Sequence, residues 1–258
     1  MNYLDKIIEF KKEELPSLKR KVSLQDVKLK VKDAKPALGF TSLFKKEEIN
    51  IIAEFKRASP SLGFINPEAS PVKISKIYEE NGAKAISVLT DENFFKGSLA
   101  DLEAVKASVG IPVLRKDFTV DEYHIYQARA HGADAILLIV AALDDFELND
   151  YQHVAEGLGM KALIEVHDEN ELKRALKIKP ALVGVNNRNL HTFKTSLQTS
   201  LDLISKIPDT ITAISESGLK TSEDLQNLQK SGFAGFLIGE SLMKEKNVGA
   251  KLKELIKY

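Results

Sequence analysis

Eight short apolar runs recur along the chain, each rich in Val, Ile and Leu and each ended by a turn or a charged residue. This length and composition are typical of strands that are buried on both faces of a sheet. The predicted strands are INIIAEF (49–55), AISVLT (85–90), PVLRKDF (112–118), AILLIV (135–140), KALIEV (161–166), ALVGVN (181–186), ITAISES (211–217) and GFLIGE (235–240).

Helical patterns separate these runs. Segment 70–83 has an apolar helical face and a glycine stop at Gly82, and segment 120–133 ends in the same way at Gly132. Segment 221–234 opens on a capping box and also ends near a glycine. A strand followed by a helix, eight times over, predicts parallel strands that are joined by crossover helices.

Eight such units in about 210 residues predict an α/β fold, a (β/α)8 TIM barrel. An open doubly wound sheet is the structural alternative, but it would require a glycine-rich turn after the first strand, where the sequence has EFKRASPS. The segment 1–48 precedes the first strand and has an amphipathic pattern around Leu4, Ile7 and Ile8. We therefore expect a single barrel domain over 1–258, with 1–48 as an N-terminal helical extension packed on the barrel.

The composition narrows the classes of function. Lys plus Arg and Asp plus Glu both number 37, so the formal charge is zero and no nucleic-acid partner is expected. The absence of Cys excludes disulfides and thiolate metal sites, and none of the five histidines forms the i, i+4 pair of a metal site. No apolar run approaches the roughly 20 residues that cross a bilayer, and the N-terminus lacks a signal-peptide pattern. We expect a cytoplasmic protein with no membrane partner and no metal.

Charged and polar side chains are concentrated at the ends of the predicted strands, above all the odd-numbered ones. They are Glu54 and Lys56 (first strand), Lys116 (third), Glu165 (fifth), Asn186 and Arg188 (sixth) and Glu216 (seventh). In a barrel the chemistry lies at these C-terminal ends, and alternate strands contribute to one layer. Any one of these residues could be a strand-end charge in solvent, but three glutamates and two lysines on four alternate strands predict a shared acid–base site.

Glycines follow the last two strands. Ser217 and Gly218 come directly after the seventh strand, and Gly239 precedes a short helical pattern over 240–244. Loops seven and eight with a short extra helix form the recurrent phosphate site of barrels, where backbone N–H groups approach the anion. This predicts a phosphorylated small-molecule substrate, although the carboxylate of Glu240 would repel a phosphate unless it points away.

Other residues allow two interpretations. Phe94, Phe95 and Phe118 follow strands two and three, where they would be ordinary core residues or would hold an aromatic ring at the mouth. For His167, two residues beyond a strand-end glutamate, a helix-start or surface role is the more expected one. The charged run KKEELPSLKRK (11–21) is interpreted as a solvated helix face.

The chain resembles the indole-3-glycerol phosphate synthase family in motifs that cover essentially its whole length: AEFKRASPSLG, SVLTDENFFKGS, PVLRKDF, ADAILLI, IEVHDENEL, GVNNRNL, SESGL and LIGESLM. The combination of KRASPS, VLRKDF and NNR is highly specific to that family. The resemblance implies a (β/α)8 barrel with an extra N-terminal helix over its mouth. It also implies conversion of 1-(2-carboxyphenylamino)-1-deoxyribulose 5-phosphate to indole-3-glycerol phosphate, CO₂ and water, in tryptophan biosynthesis, without a cofactor or metal.

The resemblance further implies roles for particular residues. Lys116 resembles the general acid that protonates the substrate ketone, and Glu165 resembles its acid–base partner. The implied catalytic set is completed by Lys56, Glu54, Asn186 and Glu216, and the implied substrate-binding set is Ser59, Phe95, Phe118, Arg188, Leu190, Ser217, Gly218, Gly239 and Glu240. In that family Lys56 and Glu54 match the pair that holds the substrate carboxylate, Phe95, Phe118 and Leu190 match the anthranilate pocket, and Gly218 and Gly239 match the phosphate loops. A free lysine has a pKa of about 10.4, so we expect a second lysine or burial to lower the pKa of Lys116.

Alternatives stay open at this point. Another phosphate-binding barrel enzyme, such as phosphoribosylanthranilate isomerase or the tryptophan synthase α subunit, would need the phosphate loops but not lysines on strands one and three. An inactive barrel used as a binding scaffold is the other alternative. The chain departs from the family pattern at Leu62, Asn189 and Glu240, which concern loop packing and phosphate affinity. We expect a monomer, with association with other tryptophan-pathway enzymes as an alternative.

Overall fold

The computed structural model describes residues 3–189 and 192–257. Eight parallel strands form a closed barrel in which β1 pairs with both β2 and β8, which confirms the predicted (β/α)8 architecture. The strands are β1 (Ile51–Phe55), β2 (Ala85–Leu89), β3 (Val113–Lys116), β4 (Ala135–Ile139), β5 (Lys161–Val166), β6 (Leu182–Asn186), β7 (Thr212–Glu216) and β8 (Gly235–Ile238). Each strand lies within the run that predicts it.

The helices are α1 (Tyr3–Lys21), α2 (Leu24–Lys32), α3 (Pro71–Glu80), α4 (Glu92–Phe95), α5 (Leu99–Ser108), α6 (Glu122–Ala130), α7 (Asp145–Gly157), α8 (Glu169–Lys177), α9 (Gln198–Ile204), α10 (Ser222–Ser231), α11 (Glu240–Met243) and α12 (Val248–Ile256). Helices α1 and α2 precede the first strand, α3 to α10 lie between successive strands, and α11 and α12 follow the last strand. The three predicted helical segments are present but shorter, because the N-cap residues Ser70, Asp121 and Thr221 lie inside the predicted ranges. None of the helices in the described ranges combines the length and the apolar character that a membrane span requires.

Helix α1 lies over the mouth of the barrel, where Leu4 and Ile7 are buried and line the central cavity. Lys11 follows Ile7 by one turn on the same face and is only 6% exposed. Its ammonium group binds two buried carboxylates. The interpretation of the run 11–21 as a solvated face is therefore wrong at its first residue.

The N-terminal extension also contains a second helix, α2, which the sequence pattern does not predict. Its residues alternate between charged and apolar types, so only Val27 is buried along its length. The hydroxyl of Ser23 caps its first turn by accepting a hydrogen bond from the amide of Asp26. The ammonium of Lys28 lies 4.4 Å from the centroid of the Tyr126 ring, so α2 packs beside α6.

The interior of the barrel is built in layers. One apolar layer is fully buried and comes from the odd-numbered strands: Ile52, Leu114, Leu163 and Ile214. Residues two positions further along a strand point to the same side and lie one layer closer to the C-terminal ends. The next layer is therefore charged, and it consists of Glu54, Lys116, Glu165 and Glu216. The charged layer at the mouth of the barrel therefore packs directly on the apolar layer beneath it.

Candidate active site

Three charged side chains from alternate strands meet at the mouth of the barrel. The ammonium Nζ of Lys116 lies 2.6 Å from Oε2 of Glu165 and 2.9 Å from Oε2 of Glu216. The two carboxylates are almost completely buried, and the lysine side chain is 12% exposed. Buried charges are costly unless they are paired, so the ammonium and the carboxylates hold one another in place.

The pKa values of this cluster follow from burial and mutual attraction. Burial acts to lower the pKa of Lys116, but Glu165, Glu216 and Glu54 outweigh burial, so the pKa lies above its ordinary value. The expectation of a lowered lysine pKa is therefore wrong, since the neighbours of Lys116 are carboxylates and not a second lysine. At neutral pH the residue is an ammonium and can donate a proton.

The two carboxylates differ from each other. Burial acts to raise the pKa of Glu165, but the charges of Lys116 and His167 outweigh burial and hold the pKa well below its usual range. Burial raises the pKa of Glu216 to about 7, because Lys116 offsets only part of the burial and Glu165 adds repulsion. A carboxyl group that titrates near neutral pH is suited to accept and return protons.

Glu216 also has an oxygen, Oε1, that is buried without a hydrogen-bond partner within the described part of the chain. Space for this oxygen depends on Gly184 in β6, where a Cβ atom would lie only 2.1 Å from Oε1. A glycine inside a strand is the one sequence signal that could have indicated Gly184, since such glycines mark a close approach. An unpaired buried carboxylate oxygen stabilises nothing by itself and is available to a bound molecule.

A second acid–base pair lies beside the first. Nζ of Lys56 is 2.5 Å from Oε1 of Glu54, and both side chains line the same cavity as Lys116. A Cβ atom at Gly239 would lie 2.3 Å from Oε1 of Glu54, so the glycine after β8 also makes room for this carboxylate. Sequence reasoning assigns Gly239 to the phosphate loop alone and misses this contact.

The cavity has a volume of about 690 Å³ and runs from an apolar wall to a polar rim. The ring centroids of Phe95 and Phe118 lie 6.1 Å apart with an interplanar angle of 36°. Phe94 does not line the cavity and packs edge-on against Tyr3 and Phe10 of α1. Of the two predicted phenylalanines after β2, only Phe95 therefore lines the cavity.

Left-handed backbone marks the opposite end of the cavity. Ser217 has φ +67° and Gly218 has φ +80°. A positive φ is uncommon for a serine and indicates a locally constrained turn. A Cβ atom at Gly218 would lie 2.5 Å from Cγ2 of Thr195. The side chains of Lys220 and Lys244, which sequence reasoning does not identify, also line the cavity. This end is suited to an anionic group.

Glu240 carries no uncompensated charge at the rim. Its carboxylate accepts a hydrogen bond of 3.0 Å from Nη2 of Arg188 and one of 2.8 Å from Nζ of Lys244. Burial acts to raise the pKa of Glu240, but Lys244 and Arg188 outweigh it and lower the pKa. The repulsion that the sequence suggests between Glu240 and a phosphate is therefore largely neutralised by these two cations.

Asn186 shapes the turn after β6, and Asn187 links the ends of β6 and β7. Oδ1 of Asn186, which lines the cavity, accepts a hydrogen bond from the amide of Arg188. Nδ2 of Asn187 donates to the carbonyl oxygens of Glu216 and Ser217, at 3.0 and 3.1 Å. Sequence reasoning misses Asn187, because its partners lie about 30 residues away along the chain.

His167 lies between two carboxylates and not at the surface. Nε2 is 3.3 Å from Oε1 of Glu165, and Nδ1 is 3.0 Å from Oε2 of Glu171. Burial acts to lower the pKa of His167, but the two glutamates outweigh it and raise the pKa to about 10. The interpretation of His167 as a surface residue is wrong, whereas its predicted helix-start role is confirmed, because it precedes the N-cap Asp168 and its backbone amide donates a hydrogen bond to Glu171 in the first turn of α8. The charge of His167 supports the ionised form of Glu165.

The structure brings together in one cavity all the sequence-predicted site residues that it describes. They are Glu54, Lys56, Ser59, Phe95, Lys116, Phe118, Glu165, Asn186, Arg188, Glu216, Ser217, Gly218, Gly239 and Glu240. Leu190 lies outside the described residues. Across residues 3–189 and 192–257, no group of three or more Asp, Glu or His side chains is arranged to hold a metal ion.

The fold and this cavity define a class: (β/α)8-barrel proteins with a lysine–glutamate cluster at the C-terminal mouth. The family model for indole-3-glycerol phosphate synthase matches residues 4–255, and the chain belongs to this family. The indole-3-glycerol phosphate synthase of Variovorax paradoxus is 42% identical, with 98% of each chain covered. That of Desulfotalea psychrophila is 46% identical, with 98% of this chain and 97% of the relative covered.

Solved structures of lower identity share the fold. A mutant tryptophan synthase α-subunit from Pyrococcus furiosus matches with a TM-score of 0.62 at 16% identity, covering 81% of this chain and 98% of the other. At this identity the likeness concerns the barrel alone. The tryptophan synthase α subunit is therefore a neighbour in architecture, whereas the relatives at 42 and 46% identity share the family.

Proposed function

We propose that Lys116 is the general acid of the reaction that this chain catalyses as an indole-3-glycerol phosphate synthase. The reaction converts 1-(2-carboxyphenylamino)-1-deoxyribulose 5-phosphate to indole-3-glycerol phosphate, CO₂ and water. The observation that carries the proposal is the contact of one ammonium, at 2.6 and 2.9 Å, with two buried carboxylates of different pKa. Such a cluster holds a proton donor and a proton acceptor in the same cavity.

The substrate would lie across the cavity with its aryl ring against Phe95 and Phe118, which both line the cavity. The two rings are already in contact with each other, so they would form one aromatic wall against which a third ring can pack. The phosphate would lie at the other end, near the left-handed backbone of Ser217 and Gly218 and the cations of Lys220 and Lys244. This orientation brings the ketone and the reacting aryl carbon to the centre, close to Lys116.

Ring closure requires an acid at the ketone oxygen. As the aryl carbon attacks the carbonyl carbon, negative charge develops on that oxygen, and the ammonium of Lys116 would transfer a proton to it. The ring loses its aromaticity in this step. Departure of the carboxylate as CO₂ restores aromaticity, and the Lys56 ammonium with Glu54 would hold the carboxylate until it leaves.

Dehydration completes the sequence. The hydroxyl formed in the first step must leave as water, so an acid protonates it while a base removes the remaining proton from the new ring. Glu165 is ionised beside Lys116 and His167, and Glu216 titrates near pH 7. We assign the proton-accepting role to these two carboxylates and the donating role to Lys116, with Asn186 and Arg188 orienting the sugar chain.

Replacement of the lysine ammonium tests the assignment of the acid. In Lys116→Met we expect turnover, followed by the fluorescence of the indole product, to fall by about 10³-fold, because general acid catalysis contributes about 10²- to 10⁴-fold. The dissociation constant of the product should change by less than about threefold, since Lys116 is not assigned to the phosphate or ring pockets.

A lysine outside the cavity serves as the control. Lys84 pairs with Glu48 at 2.8 Å and does not line the cavity, so Lys84→Met should retain full turnover. Near-normal turnover in Lys116→Met would refute its role as the acid. A loss in Lys56→Met that exceeds the loss in Lys116→Met would instead assign the acid to Lys56.

A further inference from the structure

Lys11 of α1 connects the N-terminal extension to the ends of two barrel strands. Its Nζ lies 2.9 Å from Oδ2 of Asp91, after β2, and 2.9 Å from Oδ1 of Asp117, after β3. The three side chains are at most 8% exposed. Burial acts to lower the pKa of Lys11, but Asp117 and Asp91 outweigh it and raise the pKa, so the residue is charged at neutral pH.

The same two carboxylates hold the backbone of the aromatic residues in the cavity. Oδ1 of Asp91 accepts hydrogen bonds from the amides of Phe94 and Phe95, at 2.6 and 3.3 Å, and so caps α4. Oδ1 of Asp117 accepts a hydrogen bond of 2.8 Å from the amide of Phe118. One ammonium therefore binds the two groups that position both rings of the cavity wall.

Attachment of α1 alone does not require a buried ammonium. Phe10 of α1 already packs on Phe94, with ring centroids 5.7 Å apart, and Leu4 and Ile7 are buried at the mouth. An apolar side chain at position 11 would extend this contact without the desolvation cost of a charge. A buried ion pair specifies position, because its stabilisation depends on the distances between its charges.

We propose that Lys11 is a positioning residue that sets the spacing of Phe95 and Phe118 through Asp91 and Asp117, and thereby the fit of the substrate's aryl ring. This inference rests on the proposed function, since it takes the part of the cavity that the two rings line as the aryl site. It makes the N-terminal helix part of the device that recognises the aromatic end of the substrate.

Lys11→Met removes the ammonium and keeps the length of the apolar stem. We expect KM to rise about tenfold while kcat changes by less than about threefold, because the ring pocket binds the aryl group in the substrate and in the transition state alike. Inhibition by the product, which carries the ring, should weaken by a similar factor. Inhibition by inorganic phosphate should not change, since the phosphate end lies on other loops.

Lys11→Arg keeps the charge and should restore most of the affinity. Lys19→Met is the matched control, because Lys19 lies on the same helix and pairs with Asp121 at the surface. It should leave KM unchanged.

Lys11→Met with Asp91→Asn removes one cation and one anion together, and asparagine retains the capping oxygen, so thermal stability should recover. KM should nevertheless stay raised.

Two results would overturn the role of Lys11. One is a wild-type KM in the double variant, which would show that the lysine only balances charge. The other is an equal weakening of phosphate inhibition, which would show a general distortion of the cavity. Either result, obtained with turnover intact, leaves the proposed reaction unaffected, whereas failure of the proposed function would abolish the KM measurement in the wild type itself.

Discussion

Buried charges occur at both ends of this barrel, and they are organised in opposite ways. At the bottom, Asp134 precedes β4 and is completely buried, and both of its oxygens are bound. Oδ1 accepts from the amide of Leu38 at 2.8 Å, and Oδ2 accepts from the amide of Val113 at 2.7 Å and from Nζ of Lys106 at 2.5 Å. At the mouth, Glu216 is just as buried, but Oε1 has no partner among the described residues.

The difference separates a structural charge from a functional one. A carboxylate with both oxygens hydrogen-bonded stabilises the fold, and Asp134 in this way joins the extension to β3 and α5. A carboxylate that shares one ammonium with a second carboxylate and leaves an oxygen unbound lowers stability in the free protein. The same residue type thus contributes to folding at one end of the barrel and to chemistry at the other.

Removal of the structural charge should cost stability and leave chemistry unchanged. We expect Asp134→Ala to lower the free energy of unfolding by about 3–5 kcal/mol, because it leaves the Lys106 ammonium, the buried amide of Val113 and the amide of Leu38 without their acceptor. Turnover per folded molecule should stay within about twofold. The measurements are denaturant unfolding and the indole fluorescence assay at low temperature.

Asp134→Asn keeps one acceptor oxygen and should lose less stability than the alanine variant. Wild-type stability in Asp134→Ala would contradict the distinction between the two ends. Loss of turnover in folded protein would contradict it equally, since no contact of Asp134 reaches the cavity.

Replacement of the Glu216 carboxylate should reduce turnover and leave stability unchanged or higher. In Glu216→Gln we expect turnover to fall by about 10²-fold, because a proton acceptor is removed. Stability should be equal to or above that of the wild type, since the amide has no charge to desolvate. Glu48→Gln is the control, because Glu48 pairs with Lys84 outside the cavity and should affect neither quantity strongly.

The stability difference should also depend on pH. The pKa of Glu216 is raised to about 7, above the value of about 4.3 for an unfolded chain. Between these values the folded protein binds a proton that the unfolded chain has released, so stability falls as the pH rises through this window. The advantage of Glu216→Gln over the wild type should therefore grow between about pH 4 and pH 7. An advantage that shrinks over this range would contradict the raised pKa.

The charged residues at the mouth of the barrel can be predicted from the sequence, whereas the buried charge at the bottom cannot. The alternation of strands and helices predicts the fold, and a period of two along the odd strands predicts that Glu54, Lys116, Glu165 and Glu216 share a layer. The bottom end gives no comparable signal, because Asp134 looks like an ordinary turn residue before a strand. Its partners Leu38 and Lys106 lie 96 and 28 residues away along the chain.

Two further residues of the site are difficult to predict from the sequence, because one lies in a run of charged residues and the other is an isolated glycine. Lys11 stands at the head of a run that is typical of a solvated face, and its carboxylate partners lie 80 and 106 positions away. Gly184 is a glycine within an apolar strand, and only the neighbouring strand shows that it makes room for Glu216. The direction of the lysine pKa also depends on which charges lie nearest, and that is a property of the fold.

His167 resembles Asp134 in one respect and Glu216 in another. Both of its ring nitrogens are paired with carboxylates, as in a structural charge, and one of these carboxylates, Glu165, lines the cavity. Its pKa is raised to about 10, above the ordinary 6.5, so its stabilising effect is fully present below about pH 6.5 and is lost as the pH rises through about 10. We expect His167→Gln to lower the free energy of unfolding by about 1–2 kcal/mol at pH 6, and by progressively less toward pH 10.

The effect of His167→Gln on turnover should be smaller than that of Glu216→Gln, since the imidazole acts on Glu165 and not on the substrate. Thermal unfolding across pH 6 to 10 checks the prediction. His153→Gln, at an exposed histidine on α7, is the control and should show no such trend. A stability loss in His167→Gln that does not vary with pH would mean that the imidazole ring stabilises the fold by packing alone. Lys116 would then be the cation that holds Glu165 in its ionised form, without a contribution from His167.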